Sequence, residues 1–116
     1  MALPNYFPFK TRTYNASSTS SNTILSSAVI SRSKLIGGFY TTSSVASQTA
    51  VGVVDVTVNG STATGMGAIT ITTSTGNSAT NLGGPTAVTY LKEGDVLATV
   101  ASSVVGGTVT FITQEF

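Results

Sequence analysis

From residue 23 to the end, the chain is a succession of short apolar runs marked off by turn residues. Val54, Val56 and Val58 alternate with Asp55, Thr57 and Asn59, the period of two that turns one set of side chains inward from a strand and the other outward. Ile69 and Ile71 repeat the pattern against Thr70 and Thr72, as do Val109 and Phe111 against Thr108 and Thr110. The runs at 23–30, 35–41, 51–58, 68–73, 87–91, 96–102 and 108–113 predict strands. Asn59-Gly60 between strand patterns is a strong hairpin signal, because both residues tolerate positive φ. Lys92-Glu93-Gly94-Asp95 reads as a second tight turn and Gly106-Gly107 as a third. About seven or eight short strands separated by turns predict an all-β domain: a sandwich, a jelly roll or a small barrel.

Residues 1–22 have a different character and divide from a body spanning 23–116. In 1–13, Leu3, Tyr6, Phe7 and Phe9 are interrupted by Pro4 and Pro8, a spacing incompatible with a regular helix. Four large apolar side chains on an extended arm need a groove, on this chain, a sister chain or a partner. Leu3, Tyr6, Phe7 and Phe9, with Lys10 and Arg12 beside them, are therefore the candidate binding residues. Residues 14–22, Tyr-Asn-Ala-Ser-Ser-Thr-Ser-Ser-Asn, have the composition of a linker or crossing segment.

With 116 residues, 41% of them hydrophobic and 8% charged, the chain makes one domain whose surface is covered by Ser, Thr, Asn and Gly, since an ordinary domain carries about 25% charge. Such a composition favours strands over helices. A net charge of +1 supplies little self-repulsion, so association is expected. Lys10, Arg12, Arg32 and Lys34 precede every acid, whereas from Asp55 onward Lys92 is set against Asp55, Glu93, Asp95 and Glu115. A basic leading half suits docking on an acidic surface; solvated side chains are the simpler account. No secretory signal is expected at the start, nor a membrane span.

Chemistry has few candidates. With no His and no Cys, a Ser-His-Asp triad, a thiolate nucleophile and the usual zinc sites are unavailable, and no Lys sits in a Ser-x-x-Lys context. Glu93 and Asp95 are close in sequence but lack the ligand spacing of a calcium loop, and Asp95 is expected to shape its turn. Gly65-Met66-Gly67 and Gly83-Gly84 fit no phosphate-binding motif. Five cations are too few for more than weak nucleic-acid contact. Asn15-Ala16-Ser17 and Asn59-Gly60-Ser61 match the glycosylation pattern, as chance allows in so Ser- and Thr-rich a chain. No enzyme activity, cofactor or metal is expected.

From about Val29 onward the order of features resembles the small jelly-roll modules of bacteriophage head-decoration (cement) proteins, and of some tail-fibre domains. The carrying residues are Leu35-Ile36-Gly37-Gly38-Phe39-Tyr40, then Val53-Val54-Asp55-Val56-Thr57-Val58-Asn59-Gly60, then Tyr90-Leu91-Lys92-Glu93-Gly94-Asp95-Val96-Leu97, and Gly107-Thr108-Val109-Thr110-Phe111. The resemblance implies a jelly-roll-like antiparallel β-sandwich with an extended N-terminal arm, a homotrimer, and a virion structural protein on the outer surface of the head whose partner is the major capsid protein. The alternative it carries is a tail-fibre, spike or adhesin module binding a host surface or glycan, for which Phe39, Tyr40 and Tyr90 are the available stacking rings. Core packing is the expected place of all three.

Overall fold

The computed structural model describes residues 10–20, 22, 24–42, 48–73 and 78–115. Within them the strands are β1 (Lys10–Ser18), β2 (Leu25–Ala28), β3 (Ser33–Thr42), β4 (Gly52–Val58), β5 (Ser61–Thr62), β6 (Ile69–Ile71), β7 (Ala79–Gly83), β8 (Tyr90–Leu91), β9 (Val96–Ser102) and β10 (Gly107–Glu115). One antiparallel sheet runs β1-β10-β3-β7, with β8 also on β3; the other runs β2-β9-β4-β5, with β6 also on β4.

Two pairs of short strands lie end to end. β7 meets β3 at residues 38–41 and β8 meets it at 33–34, while β5 and β6 divide the edge of β4 in the same way. Counting each pair as one position leaves eight, ordered first-eighth-third-sixth in one sheet and second-seventh-fourth-fifth in the other. That order is a jelly roll: the chain changes sheet at most connections, so hydrogen-bonded neighbours are distant in sequence.

The strand alternation builds the core. Tyr14, Leu35, Tyr40, Leu82, Leu91, Val109 and Phe111 point inward from the first sheet, and Leu25, Val54, Val56, Ile71 and Leu97 from the second. Val29, Ala63, Met66 and Val104 close it from the connections. One polar group sits badly here. Thr99, on the central strand β9, is fully buried opposite Leu25 and Val56, and among the described residues its hydroxyl has no hydrogen-bond partner. Thr99→Val keeps the shape and removes the desolvated hydroxyl, so it raises the unfolding free energy by about 1 kcal/mol; urea denaturation of the two chains checks this.

The Asn59-Gly60 hairpin forms as expected. Asn59 and Gly60 have φ of 51° and 87°, and Val58 pairs with Ser61 directly across the turn, the type I′ geometry whose twist matches the strands it joins. Gly106-Gly107 is not a turn. The connection bends first at Ser103, with φ 58°, and again at Gly106, while Gly107 already opens β10. Glycine is needed there for close approach, since a Cβ on Gly107 would overlap the Thr41 carbonyl of β3.

A larger difference concerns residues 10–18, which the composition assigns to the end of an arm and a linker. They form β1, a nine-residue outer strand in unbroken register with β10 from Lys10 opposite Glu115 to Ser18 opposite Gly107. Period-two alternation is present there, with Tyr14 and Ala16 turned inward against Asn15 and Ser17. It is muted because the outward residues, Thr, Asn and Ser, are small and neutral rather than charged. Tyr14 carries the segment's attachment: its ring joins the core and its hydroxyl accepts a 3.2 Å hydrogen bond from the Ile30 amide. β7 is unexpected for a similar reason, since Leu82 is its one large apolar residue.

Candidate functional site

Among the residues expected to bind a partner, Leu3, Tyr6, Phe7 and Phe9 lie outside the described residues. Lys10 and Arg12 open β1, on the inward side of the edge strand, where the sheets no longer cover each other fully: Lys10 is exposed and Arg12 half-buried. Arg12 is engaged within the fold. Its Nε lies 2.5 Å from Glu115 Oε2 on β10, and that same oxygen accepts a hydrogen bond from the Ser31 hydroxyl in the β2–β3 connection. One carboxylate thus joins β1, β10 and the loop after β2.

Register brings the other cations to the same end. Lys34 near the start of β3 lies between Gln114 of β10 and Tyr90 of β8, and Arg32 and Lys92 lie just beyond the ends of β3 and β8, outward of the Ser33–Leu91 pair. All five Lys and Arg of the chain therefore gather where β1 and β3 begin and β10 ends. Glu93, Asp95 and Glu115 share that end, while Asp55 lies within β4. The basic leading half and acidic remainder seen along the chain are accordingly not separate in space. At the opposite end, where β1, β3 and β9 finish, the described residues include no Lys, Arg, Asp or Glu.

Asp95 fixes the turn at the charged end. Its Oδ1 accepts from Asn59 Nδ2 at 3.0 Å and its Oδ2 from the Lys92 amide at 3.0 Å, while the Asp95 amide donates to the Lys92 carbonyl at 3.0 Å. Asn59 completes the tie, its Oδ1 accepting from the Val96 amide at 2.9 Å. The β4–β5 hairpin and the β8–β9 turn are thereby bonded together.

Both carboxylates are held below their ordinary range, Glu115 by the Arg12 guanidinium and the Ser31 hydroxyl, Asp95 by the Asn59 amide and then the Lys92 backbone. A carboxyl depressed in the fold stabilises it above the ordinary pKa, and that contribution is lost as pH falls through the depressed value. Melting temperature therefore falls with acidification below ordinary values near 4.5 and 3.8. In Glu115→Gln the acid limb is shallower, which thermal melts across that range measure.

Tyr40 behaves as expected of a core ring: it is buried, its hydroxyl donates to the Val105 carbonyl, and burial raises its pKa. Phe39 and Tyr90 do not. They face outward, Phe39 between Asn81 and Thr110 and Tyr90 beside Lys34, and are 41% and 68% exposed. The pairing of β3 with β8 joins residues more than fifty positions apart, so no local pattern announces the group Arg32, Lys34, Tyr90 and Lys92. A cleft of about 470 Å³ lies there, lined by Arg32, Tyr90, Leu91, Lys92 and Asp95. The outer sheet faces also carry apolar residues: Ile36 with Phe39 on the first, Val53, Val96 and Val100 on the second.

Among the described residues no three His, Cys, Asp or Glu side chains come together as a metal site. Scanned against models of known protein families the chain matches none, and a search of curated proteins likewise finds no match. What the geometry offers is surface: a long edge strand, two partly apolar sheet faces, and a charged end with a cleft.

Proposed function

We propose that this chain is a non-catalytic virion structural protein, a decoration or cement module that binds the outer surface of a phage head through its N-terminal segment. The observation that carries the reading is β1, a nine-residue, bulge-free strand at the edge of its sheet that continues directly from the apolar segment 1–9. An edge strand presents unpaired N–H and C=O groups, a template for another chain. Lys10 and Arg12 put charge at its start, but the residues from Thr13 to Ser18 are uncharged, so over that stretch charge does not guard the edge against pairing. Leu3, Tyr6, Phe7 and Phe9 would then fill apolar recesses between shell subunits, with Lys10 at the base of the arm. Burial there yields roughly 25 cal/mol per Å², offset by the entropy of ordering the arm, and a homotrimer presenting three arms adds avidity. The exposed valines on the second sheet suit contacts between copies.

Because Lys10–Ser18 is part of the body, the informative deletion stops at residue 9. In co-sedimentation with capsids lacking this protein, the full chain binds saturably, and the chain without residues 1–9 stays folded but remains in the supernatant. Equal binding by both chains contradicts the arm as anchor. The exposed ring of Tyr90 beside Lys92 favours a second reading, a module that binds a glycan on a host surface.

A further inference from the structure

The Asn59-Gly60 turn carries a chemical liability that comes with its geometry. A type I′ turn requires positive φ at both central positions, 51° and 87° here, and Asn and Gly adopt it at least cost. Asn59 is also the one asparagine of the chain that glycine follows. An asparagine so placed can deamidate. The backbone nitrogen of the next residue, having lost its proton to base, attacks the side-chain carbonyl carbon and closes a five-membered succinimide. The bond to Nδ2 breaks, and that nitrogen takes a proton from water and leaves as ammonia. A second water opens the ring at either carbonyl, giving aspartate or isoaspartate. Glycine puts no Cβ beside the attacking nitrogen, and the space around Gly60 is open: a Cβ placed on it would meet no atom within 4 Å. Water and base therefore have access.

The fold opposes the first step. Asn59 Oδ1 accepts from the Val96 amide at 2.9 Å and Nδ2 donates to Asp95 Oδ1 at 3.0 Å, while the Asn59 amide donates to the Val96 carbonyl at 2.9 Å. Both polar atoms of the side-chain amide are thus bonded to residues 95 and 96, and the carbonyl carbon turns onto the Gly60 nitrogen only when those bonds open. The product fits the site less well than asparagine does. An aspartate oxygen in the place of Nδ2 stands 3.0 Å from Asp95 Oδ1 with no proton to donate, so two carboxylates face each other where a hydrogen bond was.

We propose that Asn59 is a site of spontaneous modification, held in check by the fold, and that its conversion to aspartate opens the tie between the β4–β5 hairpin and the β8–β9 turn. That tie lies at the charged end, where β1 begins, so the change loosens the end at which the chain enters the body. The inference is independent of shell binding.

The test follows deamidation of the full chain by peptide mass spectrometry during incubation at mildly alkaline pH, with and without denaturing urea. In urea the peptide carrying Asn59 gains the mass difference of aspartate over asparagine, and the native chain does so more slowly by about tenfold or more, because reaction waits on local opening. Asn59→Asp melts about 5 °C or more below the parent at neutral pH. Combining Asn59→Asp with Asp95→Asn recovers most of that loss, because the new amide at position 95 donates to the new carboxylate at position 59 while its oxygen still accepts from the Lys92 amide. Equal rates in the native and unfolded chains, an Asn59→Asp variant that melts with the parent, or a double variant no more stable than Asn59→Asp would overturn the proposal.

Discussion

Phe111→Ala lowers the unfolding free energy by about 3–5 kcal/mol, the cost of removing an aromatic ring from a packed core and leaving a cavity. Phe111 is fully buried and sits on β10, between β1 and β3. Its strand neighbours are Tyr14 on one side and Gly38 on the other, so the glycine leaves no side chain on β3 to close the void. In a small domain whose total stability is about 5–15 kcal/mol, this change removes a large share. Chemical denaturation gives the value directly, and Phe111→Leu, which retains much of the volume, loses much less.

Tyr14→Ala costs about 3 kcal/mol, from the lost ring and from the Ile30 amide left without its acceptor. The effect discriminates between two descriptions of the segment. In a solvated linker the substitution changes stability by a few tenths of a kcal/mol; in β1, with Tyr14 inside the core and its hydroxyl bonded to the β2–β3 connection, the cost is several times greater. Tyr14→Phe separates the contributions by keeping the ring and losing only the hydrogen bond.

Much of the body was legible where the side chains differ strongly between faces. Val54 and Val56 against Asp55, and Val109 and Phe111 against Thr108 and Thr110, are inward and outward sets in the fold. Strand β9 runs from Val96 to Ser102, the bounds its apolar run suggests, and Asn59-Gly60 turns as its residue types require. β1 and β7 were harder to see, because Ser, Thr and Asn serve equally as linker residues and as the outer face of a strand. In this chain composition separates arm from body too late, and a single buried residue, Tyr14, is the sign that β1 belongs to the body.

The candidate sites were less legible than the strands. Arg12 reads in sequence as a docking charge, yet it is bonded to Glu115, 103 residues away. Tyr90 reads in sequence as a core ring, but in β8 Leu91 is the residue turned to the core and Tyr90 faces outward. In a jelly roll the neighbours that decide such roles come from distant parts of the chain, and periodicity says which side chains share a face without saying whose face lies beside it.

The most direct measurement of the central claim is cryo-electron microscopy of shells reconstituted with the full chain. The account predicts a sandwich-shaped domain on the outer head surface, with the β1 edge toward the shell and density for residues 1–9 at a junction between shell subunits. Particles that bind the chain at the tail instead, or on the head through the opposite, uncharged end with β1 facing solvent, would contradict it.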